Sequence, residues 1–305
     1  RTASTGSVSD CKRSVEVSRS RGFFKTAFIA MGSPCELLVE TDDKAQAVAI
    51  GETVAGEAWR IEDKFSRYLP GNVVARINDG EQVDVDDETA NLLDFAQTLF
   101  ELSQRRFDIT SGVLREAWTF DGSDNVPSQD DIDRILDRVG WHKVSWDKPT
   151  IALAPGMQID FGGIAKEYAV DKAASLAANG CDAPCLVNFG GDLVATRSPG
   201  GSGGWQVGID ALDQNDGVAQ KLIRLKNGGL ATSGDSRRFR LKDGIRYGHI
   251  LDPLSGWPIA DAPRSVTVAA DTCTQAGMLA TLAMLRGTTA ESFLDDQGVQ
   301  YWCYR

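Results

Sequence analysis

Short apolar runs closed by adjacent glycines constrain this chain more than any other feature. Ile159 to Phe161 runs into Gly162-Gly163, and a helical pattern opens near Ile164. Cys185 to Phe189 ends in Gly190-Gly191, and Leu193 to Thr196 follows at once. So tight a turn sends the chain back beside itself, whereas a parallel crossover needs about a dozen residues or more. Trp205 to Ile209, Lys221 to Leu225, Phe239 to Leu241 and Ser265 to Ala269 are further strand-like runs, with a Ser/Pro/Gly loop from Ser198 to Gly204 ahead of the first. The class that follows is α+β: an antiparallel or mixed sheet core with packed helices, not a regular βαβ array.

Helical periodicity supplies the second layer. Thr41-Asp42 reads as the cap of a helix with Val54, Ala58, Ile61 and Phe65 on one face, and Glu36 to Glu40 before it reads as a strand. Leu92, Phe95, Leu99 and Leu102 mark a second helix, and Ser128 with Asp131 forms a capping box ahead of Ile132, Ile135 and Leu136. A last helix covers Thr274 to Leu285 and stops at Gly287. Residues 1–22 read as a flexible N-terminal tail of the kind left by leader removal, with Ser, Thr, Arg and Lys but no apolar stretch. Residues 23–305 read as one domain, in one or two lobes.

Composition narrows the function classes. The net charge of −11 argues against nucleic acid or anionic lipid as the main partner, since both need a basic footprint. No run of about 18 apolar residues provides a transmembrane helix. With two histidines in the chain, a histidine-based zinc cluster is excluded, and His142, between Trp141 and Lys143, reads as structural. Cys181 and Cys185 read either as a disulfide or as two buried thiols.

Four segments carry candidate chemistry, each with a plainer alternative. Asp160-Phe161-Gly162-Gly163-Ile164-Ala165-Lys166 is either an ordinary glycine turn with a solvated lysine or a place where backbone and helix N–H groups approach an anion. Asn188 to Asp192 and Thr232-Ser233-Gly234-Asp235 are polar turns, able to satisfy themselves or to line a ligand. Tyr247 to Pro253 sets His249 near Asp252, either as a structural imidazole or as a base at neutral pH.

Taken in order, these segments resemble the FAD:protein FMN transferases, the flavin transferases of the ApbE type. The resemblance runs through Met31-Gly32-Ser33, Phe65 to Tyr68 with Arg76-Ile77-Asn78, and Phe107 to Leu114. It continues through Asp160 to Asp171, Val187 to Asp192, Thr232 to Asp235, His249 to Pro258 and Ser265 to Val268, spanning about Phe28 to Gly287. It implies an ApbE-like fold and transfer of the FMN part of FAD to a Ser or Thr of an acceptor protein, with AMP released and Mg²⁺ assisting. It implies FAD contacts from Met31, Tyr68, Arg106, Phe107, Asp108, Asp160, Lys166 and Leu251, and activation of the acceptor hydroxyl by His249. It places the metal on Gly163 and Ala280 through backbone oxygen and on Thr281 through its side chain. Relatives usually work outside the cytoplasm, which implies a periplasmic or otherwise exported protein; Cys11, after Val8-Ser9-Asp10, makes a poor lipidation site.

One departure stands out. The family's last motif carries a metal-binding aspartate, and Ala276-Gly277-Met278-Leu279-Ala280-Thr281 has glycine in that position. Loss of the charged ligand implies a weakened Mg²⁺ site, which an aspartate returned to position 277 would strengthen. Rival readings are therefore an FAD-binding protein with little or no transfer, and an FAD pyrophosphatase. Glu167, where many relatives have glycine, reads as a change on a helix surface.

Overall fold

The computed structural model describes residues 13–120, 125–200, 203–209, 221–234, 239–242 and 245–305. Strands β1 (Glu16–Ser20), β2 (Phe23–Ala30) and β3 (Ser33–Val39) lead into helix α1 (Lys44–Phe65). The short α2 (Val73–Asn78), β4 (Val83–Asp84) and α3 (Asp87–Leu102) follow. A 3-10 segment, Ile109–Glu116, precedes α4 (Gln129–Leu136), β5 (Ser145–Asp147) and β6 (Thr150–Ala152). Helix α5 (Ala165–Gly180) leads to β7 (Cys185–Phe189), β8 (Asp192–Ala195), β9 (Trp205–Ile209), β10 (Lys221–Leu225) and β11 (Gly228–Gly234). Then come β12 (Phe239–Lys242), β13 (Ile245–Gly248), β14 (Ser265–Ala270), α6 (Cys273–Met284), α7 (Ala290–Gln297) and β15 (Gln300–Tyr304).

Eight strands form the main sheet in the order β1-β2-β3-β7-β8-β11-β14-β15. All its neighbours are antiparallel, as glycine turns between short runs require. Gly190 and Gly191 have φ of 63° and 102°, the left-handed backbone of a tight reversal, and Phe189 pairs with Asp192 across them. Helices α1, α5 and α6 cover the sheet, and α6 packs on β11 and β14. The face of α1 predicted from periodicity is the buried one: Val54, Ala58, Ile61 and Phe65 enter the main core with Leu37, Val187 and Phe189. The Trp59 indole donates to the Ile29 carbonyl at 2.8 Å and docks α1 on β2.

Three sequence expectations change. Residues 16–20, expected within the N-terminal tail, form β1, where Glu16 to Ser20 pair with Ala27 to Phe23; residues 1–12, with Cys11, lie outside the described residues. Asp43 rather than Asp42 caps α1, accepting from the Ala45 and Gln46 N–H groups, while the Thr41 hydroxyl receives the Asp43 N–H. Beyond α6 the chain continues through α7 into β15, which pairs with β14 at the edge of the sheet. The capping box of Ser128 and Asp131 is present as read. The Cys181 and Cys185 sulfurs lie 3.7 Å apart, against about 2.05 Å in a disulfide, so both are thiols.

Glu88 ties three helices together. Its carboxylate receives Arg60 through two nitrogens at 2.7 and 2.8 Å, Lys64 at 2.7 Å and the Tyr168 hydroxyl at 2.8 Å. The Arg60 hydrogen bonds, ahead of the cost of burial and the Lys64 bond, hold its carboxyl far below the ordinary 4.5. A lowered value stabilises the fold above pH 4.5, and that contribution fades as pH falls. Glu88→Gln should therefore cost about 1 kcal/mol at pH 7, allowing for solvent screening. Chemical denaturation across pH should show the gap from wild type narrowing below about pH 4.5.

Candidate functional site

A cleft of about 360 Å³ opens where five segments meet: Tyr68 beyond α1, the stretch Arg106 to Arg115, the turn before α5, the loop after β13, and the middle of α6. Among the residues picked out from sequence, Tyr68, Arg106, Phe107, Asp108, Asp160 and Leu251 line it. His249, Gly163 and Thr281 line the same cleft. Met31, Lys166 and Ala280 do not.

Asp160 organises one wall. Its Oδ2 faces Arg115 at 3.1 Å and Arg67 at 3.4 Å, and its Oδ1 accepts the Gly162 N–H at 2.8 Å. Two guanidiniums meet this carboxylate, and of the two Arg115 lines the cleft, where its fork suits phosphate oxygens. Arg115 also donates to the Tyr68 hydroxyl at 3.0 Å. Tyr68 is 76% exposed, and such a ring at a cleft mouth offers a flat face to another ring system. Gly112 lies so close that an added Cβ would stand 2.6 Å from Arg67 Nη1 and 3.1 Å from Asp160 Cβ. Neither Arg67 nor Arg115 was picked out from sequence, although Arg67 stands inside the Phe65 to Tyr68 match. A lone arginine carries no signal until its carboxylate partner, far along the chain, is brought beside it.

The opposite wall holds His249. Its ring meets Phe120 edge-on at 6.3 Å between centroids. The loop after it is rigidly built: Leu251 bridges to Pro258, the Asp252 N–H donates to the Trp257 carbonyl at 2.8 Å, and Arg106 holds the Asp252 carboxylate at 3.1 Å. Asp108 plays a structural part. Its carboxylate accepts from the Thr110 N–H and hydroxyl at 2.8 and 2.6 Å and from the Trp141 N–H at 2.9 Å. Burial pushes its carboxyl above the ordinary value, against the pull of those bonds. His142 stacks on Phe100 and stands apart from the cleft.

Lys166 is already matched. Its ammonium meets Asp192, a residue only 2% exposed, at 2.6 Å. Burial alone would lower its pKa, but the Asp192 carboxylate outweighs this and keeps the ammonium charged. Met31 sits in the turn between β2 and β3 at φ 51°, its N–H donating to Glu62. Ala280 is buried within α6.

The seam between α5 and α6 departs most from the sequence reading. Asp171 on α5 accepts the Cys273 and Thr274 N–H groups, both at 2.8 Å, and the Thr274 hydroxyl at 2.6 Å. One turn along each helix, Glu167 faces Gly277. A Cβ built on Gly277 would meet Glu167 Cγ at 2.6 Å, Oε1 at 2.9 Å and Cδ at 3.0 Å. Glu167 therefore points inward, not along a helix surface, because the missing side chain at 277 admits it. An aspartate added at 277 alone would meet this side chain, so Glu167 would have to move to admit it. Burial first, and the Asp192 charge second, push the Glu167 carboxyl up to about 8. Next along α6, the Thr281 hydroxyl lies 2.8 Å from that of Ser233 on β11. Asp235, in the same sequence segment as Ser233, is outside the described residues. Among the described residues no group of three or more His, Cys, Asp or Glu is placed to hold a metal.

Three comparisons place the chain among known proteins. The sequence pattern of the ApbE family matches residues 31–303. The FAD:protein FMN transferase of Vibrio cholerae is 28% identical over 234 residues, covering 74% of this chain and 70% of that protein. The crystal structure of the Thermotoga maritima ApbE protein superposes with a TM-score of 0.82 at 33% identity, covering 92% of this chain and 94% of that one. The flavinyl transferase ApbE of Pseudomonas stutzeri, in its apo form, gives 0.80 at 27% identity over 96% of this chain and 92% of its own.

The bonds of Asp108 predict that Asp108→Asn lowers stability by about 1–3 kcal/mol, since an amide NH₂ must then face a buried N–H. Thermal denaturation of the apoprotein checks this. Unchanged stability with lost ligand affinity would assign Asp108 to binding instead.

Proposed function

The chain belongs to the ApbE family, and from that premise we propose that it transfers the FMN moiety of FAD to a Ser or Thr hydroxyl of an acceptor protein. The observation that carries the reading is the convergence of Tyr68, the Asp160-Arg115 pair, His249 and Thr281 on one cleft. An exposed aromatic face, a guanidinium and an imidazole are the parts this reaction needs from a protein.

The reaction joins the acceptor oxygen to the FMN phosphorus and breaks the bond from that phosphorus to the bridging oxygen of the pyrophosphate. AMP leaves with that oxygen, and the hydroxyl proton passes to His249. Phosphoryl transfer asks mainly for position and charge neutralisation. Arg115 faces phosphate oxygens, held by Asp160, which Arg67 braces from its other side. Arg106 braces the loop that carries His249 through Asp252. Tyr68 and Leu251 flank the flat rings. Gly163 permits close approach, since a Cβ there would lie 3.3 Å from the Phe107 ring.

The oxygens at Gly163, Ala280 and Thr281 suit Mg²⁺, a hard cation that prefers oxygen ligands. When bound, it would spread the negative charge of the pyrophosphate as the bond to AMP breaks.

The test incubates the protein with FAD, Mg²⁺ and a flavin-acceptor protein, then follows gel-stable flavin fluorescence. Labelled acceptor with AMP in equal amount is the expected result. AMP and free FMN without label would make the protein a pyrophosphatase, and bound FAD with neither product would make it a carrier. His249→Ala should cut transfer by about 10²–10⁴-fold, the usual worth of a positioned base. FAD affinity should hold within about threefold in that variant, since the base contributes little to ground-state binding. Loss of FAD binding instead would remove the base assignment.

A further inference from the structure

We propose that Glu167 is a ligand of the divalent cation in this cleft, reaching from α5 into the space that Gly277 leaves open on α6. The inference deepens the transferase reading and rests on it for the identity of the cation.

Register comes first. Asp171 pins α5 against the first turn of α6. Counting back by four along α5 gives Glu167, and Gly163 lies in the turn just before the helix; counting forward from Cys273 along α6 gives Gly277 and then Thr281. Side chains on one helical face recur at this spacing. The two helices therefore run antiparallel along this seam, and its far end is Gly163 with Thr281, both on the cleft. Long helical side chains lean toward the N-terminus of their own helix, which for Glu167 is toward Gly163.

Glycine at 277 has a cost, and the Glu167 side chain occupies the space that a larger residue would fill. Gly277 stands inside α6 with ordinary helical backbone, where glycine is about 1 kcal/mol worse than alanine. An alanine Cβ would stand 2.6 Å from Glu167 Cγ, so it could enter only with a shift of the Glu167 side chain. The two positions thus form one unit, with the side chain on α5 filling what α6 lacks.

The carboxylate is also short of partners. Glu167 Oε2 is buried without a hydrogen bond. The adjacent ammonium of Lys166 is engaged by Asp192. An enclosed carboxylate oxygen left in this state costs free energy that a bound cation would offset. Once a cation displaces its proton, Glu167 would make an all-oxygen set with Thr281 and the Gly163 and Ala280 carbonyls, carrying one negative charge. That suits Mg²⁺ or Mn²⁺, which keep several waters and need only one or two carboxylates. The charge that the sequence reading finds missing from 277 is supplied from 167.

Mn²⁺ binding to the full chain, followed by the EPR signal of free Mn²⁺ with and without FAD, tests this directly. Glu167→Gln keeps the shape and should weaken Mn²⁺ about tenfold or more, because cation affinity follows ligand charge. Gly277→Asp alone should melt lower and bind Mn²⁺ no tighter than wild type. The double variant Glu167→Gly with Gly277→Asp should recover Mn²⁺ affinity to within about threefold of wild type, as the charge returns from the other helix. Mn²⁺ binding by Glu167→Gln equal to wild type would overturn the proposal, as would a double variant no tighter than Glu167→Gln, or a wild type that binds no Mn²⁺. Wild-type Mn²⁺ binding through Glu167 without flavin transfer would instead remove the transferase reading and leave this one standing.

Discussion

Asp171 fixes the geometry on which the cleft depends. Its two oxygens satisfy the first N–H groups of α6, which an isolated helix would leave to water. Because the bonds run from α5 to α6, they set the relative height of two helices that the chain connects only through β7 to β14. Every later contact along the seam inherits that height: Glu167 against Gly277, then Gly163 near Thr281. A slip of one turn would move the Thr281 hydroxyl away from Ser233 and the Glu167 carboxylate against a bulkier side chain.

Charge is arranged around this seam with little to spare. The protein is acidic overall, yet the wall at Asp160 carries two guanidiniums for one carboxylate. Lys166 is paired with Asp192. At the neighbouring position, 167, a buried carboxyl oxygen lacks a hydrogen-bond partner. Polar groups committed to the fold, such as Asp108 and Asp171, are distinguished from those left for a ligand by counting their bonds. Position in a motif does not make that distinction.

Much of this was legible in the sequence, and the limits have physical causes. Glycine pairs flanked by short apolar runs give antiparallel strands because few other conformations fit them. The face of α1 follows from periodicity, since burial selects one residue in three or four. Tyr68, Asp160, His249 and Thr281 fall in segments where polar residues interrupt such patterns, and the structure draws them to one cleft. Lys166 and Glu167 were harder. Adjacent residues on a helix point about 100° apart, so one motif sends Lys166 to Asp192 and Glu167 to α6. Nothing near Glu167 in the chain shows that a distant glycine makes room for it. Gly277 reads alone as a lost ligand, and Glu167 reads alone as a surface change; only together do they read as an exchange. The strands β1 and β15 were missed for a related reason, since edge strands bury little and leave weak patterns.

The central claim is that one carboxylate from α5 completes an oxygen site at the floor of a flavin cleft. A crystal of the protein with FAD and Mn²⁺, measured for anomalous scattering, tests it most directly. The account predicts a manganese peak within about 2.5 Å of a Glu167 carboxylate oxygen and of the Thr281 hydroxyl, beside the pyrophosphate. A manganese peak held by other residues, with Glu167 still unpartnered against Gly277, would contradict it.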